Sequence, residues 1–141
     1  MVGILMVSHG RMAEGIADSL YMIVGKIEQL DYLGLFEGTD FEEFKETMHD
    51  KLVKLDTGDG VVVMTDLFGA SPYNAAAGNM NTWMKEGHRV RLLTGMNLPM
   101  VIEAVSQRFS EVTLDQLYPA IMETAKAEIK ELMHDLGLEG Q

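Results

Sequence analysis

Cysteine is absent from the 141-residue chain. That excludes disulfides, thiolate nucleophiles and zinc sites built on Cys. Proline is scarce: there are three, Pro72, Pro99 and Pro119, each near the expected start of a helix. Basic residues are few, 11 Lys and Arg against 22 Asp and Glu, for a formal net charge of −11. Nonspecific binding to nucleic acid needs a basic footprint, so this balance argues against it. No apolar run approaches the ~18 residues that would indicate a membrane span. The N-terminus has neither a basic stretch nor a long apolar core, so no signal peptide is expected and a cytoplasmic location is. Internal repeats, linkers and low-complexity tracts are also missing. Residues 1–141 therefore read as one domain, long enough to bury a real core.

What is present is an ordinary apolar share, 47%, and a high methionine count of 12. Methionine fills cores and also suits adaptable docking surfaces. The excess of acid serves solubility and is compatible with steering toward a basic partner.

Apolar runs alternate with helical periodicity along the whole chain. Strands are expected over about Val2–Ser8, Ile27–Phe36, Val61–Thr65 and Arg89–Leu93, the second interrupted by Gly34. Val, Ile, Leu and Met crowd the first and third, the pattern of strands buried on both faces. Helices are expected over Arg11–Val24, with Met12, Ile16, Leu20 and Ile23 at helical spacing, and over Phe41–Leu55, with Phe41, Phe44, Met48, Leu52 and Leu55. Further helices follow from Ser71-Pro72 to about Lys85, from Leu98-Pro99 to about Phe109, and from Leu114 to Leu136. The last carries a stripe of Leu117, Ile121, Ala125, Ile129, Leu132 and Leu136. Gly25 is placed as a helix stop, Thr39 or Asp40 as a cap, and Ser71 as a cap before Pro72. Strands separated by helices imply an open, doubly wound, mainly parallel α/β sheet, helices on both faces and a C-terminal helix. A flavodoxin-like order, 2-1-3-4, puts the first and third strands side by side.

That order brings two loops together. His9 leaves the first strand and Asp66 leaves the third, at the carboxyl edge where open α/β folds place their chemistry. A carboxylate that accepts one ring N–H of a histidine sets the tautomer, bares the other nitrogen and stabilises positive charge on the ring. The surroundings suit an anion. Gly10, Gly69 and Gly95 permit close backbone approach, the helices opening near Arg11 and Pro72 direct free N–H groups at the rim, and Ser71 adds a hydroxyl. A phosphohistidine is the chemistry this combination suits. Taken singly the parts have plainer readings: a histidine after a strand can be structural, Asp66 can make an Asx-turn or cap a helix, and Ser71-Pro72 can be only a helix start. Neither loop has G-x-G-x-x-G or a Walker lysine, which disfavours a nucleotide site. His49, His88 and His134 lack metal-ligand spacing; His49 and His134 read as solvated helix positions and His88 as a strand-end residue.

Three motifs are recognisable: Ile4-Leu-Met-Val-Ser-His9-Gly10, Thr65-Asp66-Leu-Phe-Gly-Ala-Ser71-Pro72-Tyr-Asn74 and Thr94-Gly95-Met-Asn97-Leu-Pro99. In order and spacing the chain resembles the mannose-type enzyme IIA component of the bacterial sugar phosphotransferase system. The resemblance implies that His9 receives a phosphoryl group from the phosphocarrier HPr and passes it to a histidine of the IIB component, with membrane components IIC and IID engaged indirectly. It implies Asp66 as the partner of His9, with Gly10, Phe68, Gly69, Ala70 and Ser71 around the phosphoryl group. It also implies a homodimer, and neither cofactor nor metal. Met12, Phe68, Met96, Asn97 and Leu98 are the expected docking collar, with partial core burial as their plainer role. Two rivals stand beside this reading: a phosphotransfer subunit serving a dihydroxyacetone kinase, and a regulatory module of the same fold that does not turn over phosphate.

Overall fold

The structure, a computed structural model, describes residues 1–140. Four parallel strands, β1 (Gly3–His9), β2 (Leu30–Leu35), β3 (Val61–Thr65) and β4 (Val90–Leu93), form one sheet in the order β2-β1-β3-β4. The helices among the described residues are α1 (Met12–Val24), α2 (Phe41–Leu55), α3 (Ser71–Lys85), α4 (Leu98–Gln107), α5 (Leu114–Ala127) and the single turn α6 (Leu132–Asp135). The expected order and parallel pairing are those observed.

Side-chain alternation sorts the core into two layers. Ile4 and Met6 of β1 and Val62 and Met64 of β3 face α1, α4 and α5. Leu5 and Val7 of β1 and Val61 and Val63 of β3 face α2 and α3, where Trp83 is fully buried. Covered on both sides, β1 and β3 carry no polar residue until Ser8 and Thr65, which are themselves buried. Each large aliphatic side chain buried here stabilises the fold by roughly 1.5–3 kcal/mol. The central pair is thus the most firmly held part of the sheet, and its carboxyl ends carry His9 and Asp66.

Several expectations change in detail. The second strand starts at Leu30 rather than Ile27, because Gln29 adopts a left-handed φ of 49° and the carbonyl of Glu28 is taken by the Arg108 guanidinium, while that of Gln29 is shared between Arg108 and the Ile4 N–H. Gly34 does not interrupt β2; it pairs with Ser8 in register. On α1 the buried face is Ala13, Ala17 and Leu20, while Met12 and Ile23 are exposed. Small residues let this helix lie close to the sheet, and the larger apolar residues were a misleading guide. Phe41 is likewise exposed, whereas Phe44, Met48, Leu52 and Leu55 are buried as expected. Gly25 ends α1 at φ 80°, and Asp40 caps α2 by accepting from the Glu43 N–H at 2.9 Å.

The long terminal helix is broken. α5 ends at Ala127, and Glu131 caps the separate turn α6 by accepting from the His134 N–H. Leu117, Ile121 and Ala125 are buried, but Ile129, Leu132 and Leu136 are exposed. Helical stability in proteins comes mainly from packing, and beyond Ala125 this stripe has nothing of its own chain to pack on. Pro119 lies inside α5, in its second turn, as expected.

Candidate functional site

The carboxyl end of β1 turns sharply. Gly10 has φ 54° and donates its N–H to the Leu35 carbonyl at 2.7 Å, tying the turn to β2. The buried Ser8 hydroxyl accepts from the Ala13 N–H at 2.8 Å and anchors the first turn of α1 to the strand. His9 stands between these two anchored residues. From β3, Asp66 reaches across: one oxygen, Oδ2, lies 2.8 Å from the His9 backbone nitrogen and 2.7 Å from the ring Nδ1. The other, Oδ1, accepts from the Leu67 N–H at 2.9 Å.

Burial raises the Asp66 pKa, but the backbone N–H and ring of His9 outweigh it and the net shift is downward. The group is therefore a carboxylate at neutral pH. An ionised carboxylate only accepts, so the ring proton sits on Nδ1 and the lone pair on Nε2. The Asp66 side chain is 10% exposed and that of His9 50%. One partner is held inside and the other is presented to solvent, the arrangement a transfer between proteins requires.

Around this pair the loops contribute unequally. Gly69 (φ 77°) and Gly95 (φ 72°) occupy left-handed backbone. Asn74 steadies the second loop by donating to the Gly69 carbonyl at 3.0 Å. Ala70 donates its N–H to the Leu67 carbonyl at 3.3 Å. The cap of α3 is Ala70 and makes no side-chain cap bond. Ser71 is instead the first helical residue and its side chain is left exposed, so the expectation of a serine cap is corrected. The free N–H groups in the first turn of α3 still point at the rim. The Gly10 N–H is not available to a ligand, being bonded to Leu35.

Of the expected docking collar, Met12 and Phe68 are exposed, and Phe68 packs on Tyr73 at 5.0 Å between ring centroids. Met96 is 4% exposed and belongs to the α1–α4–α5 core, so it is removed from the collar. Its burial follows from its N–H, which donates to the Thr65 carbonyl and folds the loop inward. Leu98 packs against the same core. Asn97 caps α4, accepting from the Met100 N–H at 2.9 Å. Leu67 and Phe36 are exposed at the same edge and were not singled out from the sequence. Apolar residues directly after a strand end were the available signal. Among the described residues no group of three or more His, Cys, Asp or Glu side chains could hold a metal ion, and no helix is long and apolar enough to cross a membrane.

A sequence model of the family described as "PTS system fructose IIA component" (EIIA-man) matches residues 3–122. The chain belongs to this family. It is 30% identical over 131 residues to the mannose-specific EIIAB component of Escherichia coli K12, covering 93% of this chain and 39% of that protein. The chain thus spans about two-fifths of the length of that two-part relative. It is also 30% identical over 108 residues to the fructose-specific EIIA component of Bacillus subtilis 168, covering 77% of this chain and 71% of the relative. Among solved structures, the PTS IIA protein associated with the fucose utilization operon of Streptococcus pneumoniae aligns with TM-score 0.79 at 29% identity, covering 96% of this chain and 99% of that one. The EIIA of Streptococcus agalactiae aligns with TM-score 0.85 at 24% identity over 95% and 99%, a likeness of fold. Membership of the EIIA family supports a phosphoryl-carrier role in general.

Proposed function

We propose that this EIIA domain carries a phosphoryl group on Nε2 of His9, taking it from phospho-HPr and giving it to a histidine of a IIB component, with the membrane components IIC and IID downstream. The observation that carries the reading is the contact of His9 Nδ1 with Asp66 at 2.7 Å beside a half-exposed ring. In the accepting step the Nε2 lone pair attacks phosphorus in line. The new N–P bond forms as the donor's N–P bond breaks, and that bonding pair returns to the donor nitrogen. Asp66 neutralises the charge gained by the ring. The free N–H groups at the start of α3, with Gly69 and the Ser71 hydroxyl, face the phosphoryl oxygens, while Ala70, its N–H bonded to Leu67, shapes the loop. Gly10 shapes the turn, and Met12 and Phe68 furnish apolar contact to the partner. Charge compensation comes from these groups, and no resident cofactor or metal is invoked.

Incubation with phosphoenolpyruvate, enzyme I and HPr, followed by intact-mass measurement, tests this. One acid-labile phosphate should appear on the wild type and none on His9→Ala. Phosphate on His9→Ala would overturn the assignment. No phosphate on either would favour a regulatory module.

The functional unit we infer is a homodimer. Ile129, Leu132 and Leu136 are apolar and uncovered by their own chain, and most soluble oligomers are twofold. Sedimentation at micromolar concentration should give the dimer mass; a monomer would refute it.

A further inference from the structure

We propose that Gly34 is a positioning residue for His9, acting by the absence of a side chain. The proposal rests on the phosphohistidine reading above. Gly34 lies on the edge strand β2, paired with Ser8, and the next pair in register is His9 with Leu35. Alternation puts position 34 on the same face as Leu30 and Tyr32, which pack against the α1 layer. The chain leaving β1 crosses that face as it turns through Gly10 into α1. A Cβ at position 34 would lie 2.2 Å from the Gly10 carbonyl oxygen and 3.1 and 3.2 Å from two atoms of the Phe36 ring. The Phe36 side chain can swing aside. The Gly10 oxygen is backbone and cannot move without moving the turn.

Glycine inside a strand often marks such a close backbone approach. Here the approaching segment is the one that presents His9. The turn is held to β2 by the 2.7 Å bond from Gly10 to Leu35. One residue earlier, both the backbone nitrogen and Nδ1 of His9 converge on a single oxygen of Asp66, at 2.8 and 2.7 Å. Relief of the clash would take about 1 Å of displacement, enough to break a hydrogen bond of this length. Misplacement on that scale is known to slow catalysis by about 100-fold. The fold itself has less at stake, because β2 is an edge strand and its side chains are only partly buried.

The test is Gly34→Ala in the full chain, beside Gly15→Ala, whose added Cβ meets nothing within 4 Å. Rates of phosphoryl transfer from phospho-HPr are read together with the 15N signals of the His9 ring and a urea unfolding curve. Gly34→Ala should keep a cooperative transition, slow transfer by about 10- to 100-fold and shift the His9 ring signals toward those of Asp66→Asn. Combined with Asp66→Asn it should add little further loss, since both act through one contact. Gly15→Ala should transfer as wild type. Wild-type rate and ring signals in folded Gly34→Ala would overturn the proposal. So would losses that multiply in the double variant, or loss of the cooperative transition, which would mean that strand β2 rather than the turn gives way. If wild type accepts no phosphate, the phosphohistidine reading has failed, and the ring signals alone then decide whether Gly34 positions His9.

Discussion

Among the described residues stand two histidine–aspartate pairs, one at each end of the sheet. At the carboxyl end His9 Nδ1 meets Asp66 at 2.7 Å; at the amino end His88 Nδ1 meets Asp56, also at 2.7 Å. As pairs they are nearly identical, and their surroundings are opposite. Asp66 stands where α1 and α3 begin, at the electropositive ends of two helices. Asp56 caps the end of α2, and His88 follows the end of α3, so that pair sits among terminal carbonyls. The second nitrogen of His88 also faces a carboxylate, Glu86, at 4.0 Å, and His49 approaches the same carboxylate at 3.4 Å. The His88 side chain is 18% exposed and that of Asp56 7%. A phosphoryl group brought there would meet negative charge and negative dipole ends. The same two residues therefore suit group transfer at one end of the sheet and structural cross-linking at the other. Helix polarity makes the difference.

The widest break in that comparison comes from removing each histidine. His9→Ala should take phosphate incorporation to background, whereas His88→Ala should accept phosphate normally and lose stability. Leaving Asp56 buried without its partner costs roughly 1–3 kcal/mol, readable as a lowered urea midpoint. Phosphate loss in His88→Ala would merge the two classes.

Replacing the aspartates comes next. Asp66→Asn should fold and transfer on the order of 100-fold more slowly, because the ring loses both its tautomer and its orientation. Asp56→Asn should transfer at the wild-type rate and unfold more easily, since it also weakens acceptance from Gly58 and Gly60. Single-turnover transfer and denaturant curves on the same samples separate the effects.

Acid sharpens the comparison at intermediate size. Burial raises the Asp56 pKa, but His88 and the Gly58 and Gly60 N–H groups outweigh it, so both aspartates sit below their ordinary value of 3.8. A depressed carboxyl stabilises the folded state fully above its unfolded pKa. That stabilisation is lost as pH falls through the lower folded value. Stability should therefore drop below about pH 4, and either Asp→Asn variant should flatten that acid limb in a series of urea midpoints.

Salt should have the smallest effect. With a net charge of −11 and an exposed Glu14 on α1 near the site, transfer from HPr should slow a few-fold as salt rises and screening shortens the field to ~8 Å. A rate flat with salt, with a large loss in Phe68→Ala, would assign docking to apolar contact alone.

Much of this was readable before the fold. Strands buried on both faces announce themselves as apolar runs, so β1 and β3 and the residues at their ends could be located, and parallel winding puts those ends together. Less visible were features made by contact between distant segments. Asp56 lies in a turn rich in glycine and His88 beyond a helix end, with no periodicity linking them. Ala13 and Ala17 form the core face of α1 because a close approach rewards small side chains, which a search for large apolar residues passes over. The 114–136 stretch has one helical period throughout, yet its second half lacks a packing surface and the helix stops.

Sequence alone determined the order of strands and helices, the sign of the charge and the placing of a histidine and an aspartate at strand ends, because these follow from local pattern and winding rules. Only the tertiary structure decided that Met96 is core while Phe68 is rim, that the Gly10 turn needs a bare position 34, and that one of two equal pairs faces helix starts while the other faces helix ends. Those outcomes depend on distances between segments far apart in the chain, and local pattern carries no information about them.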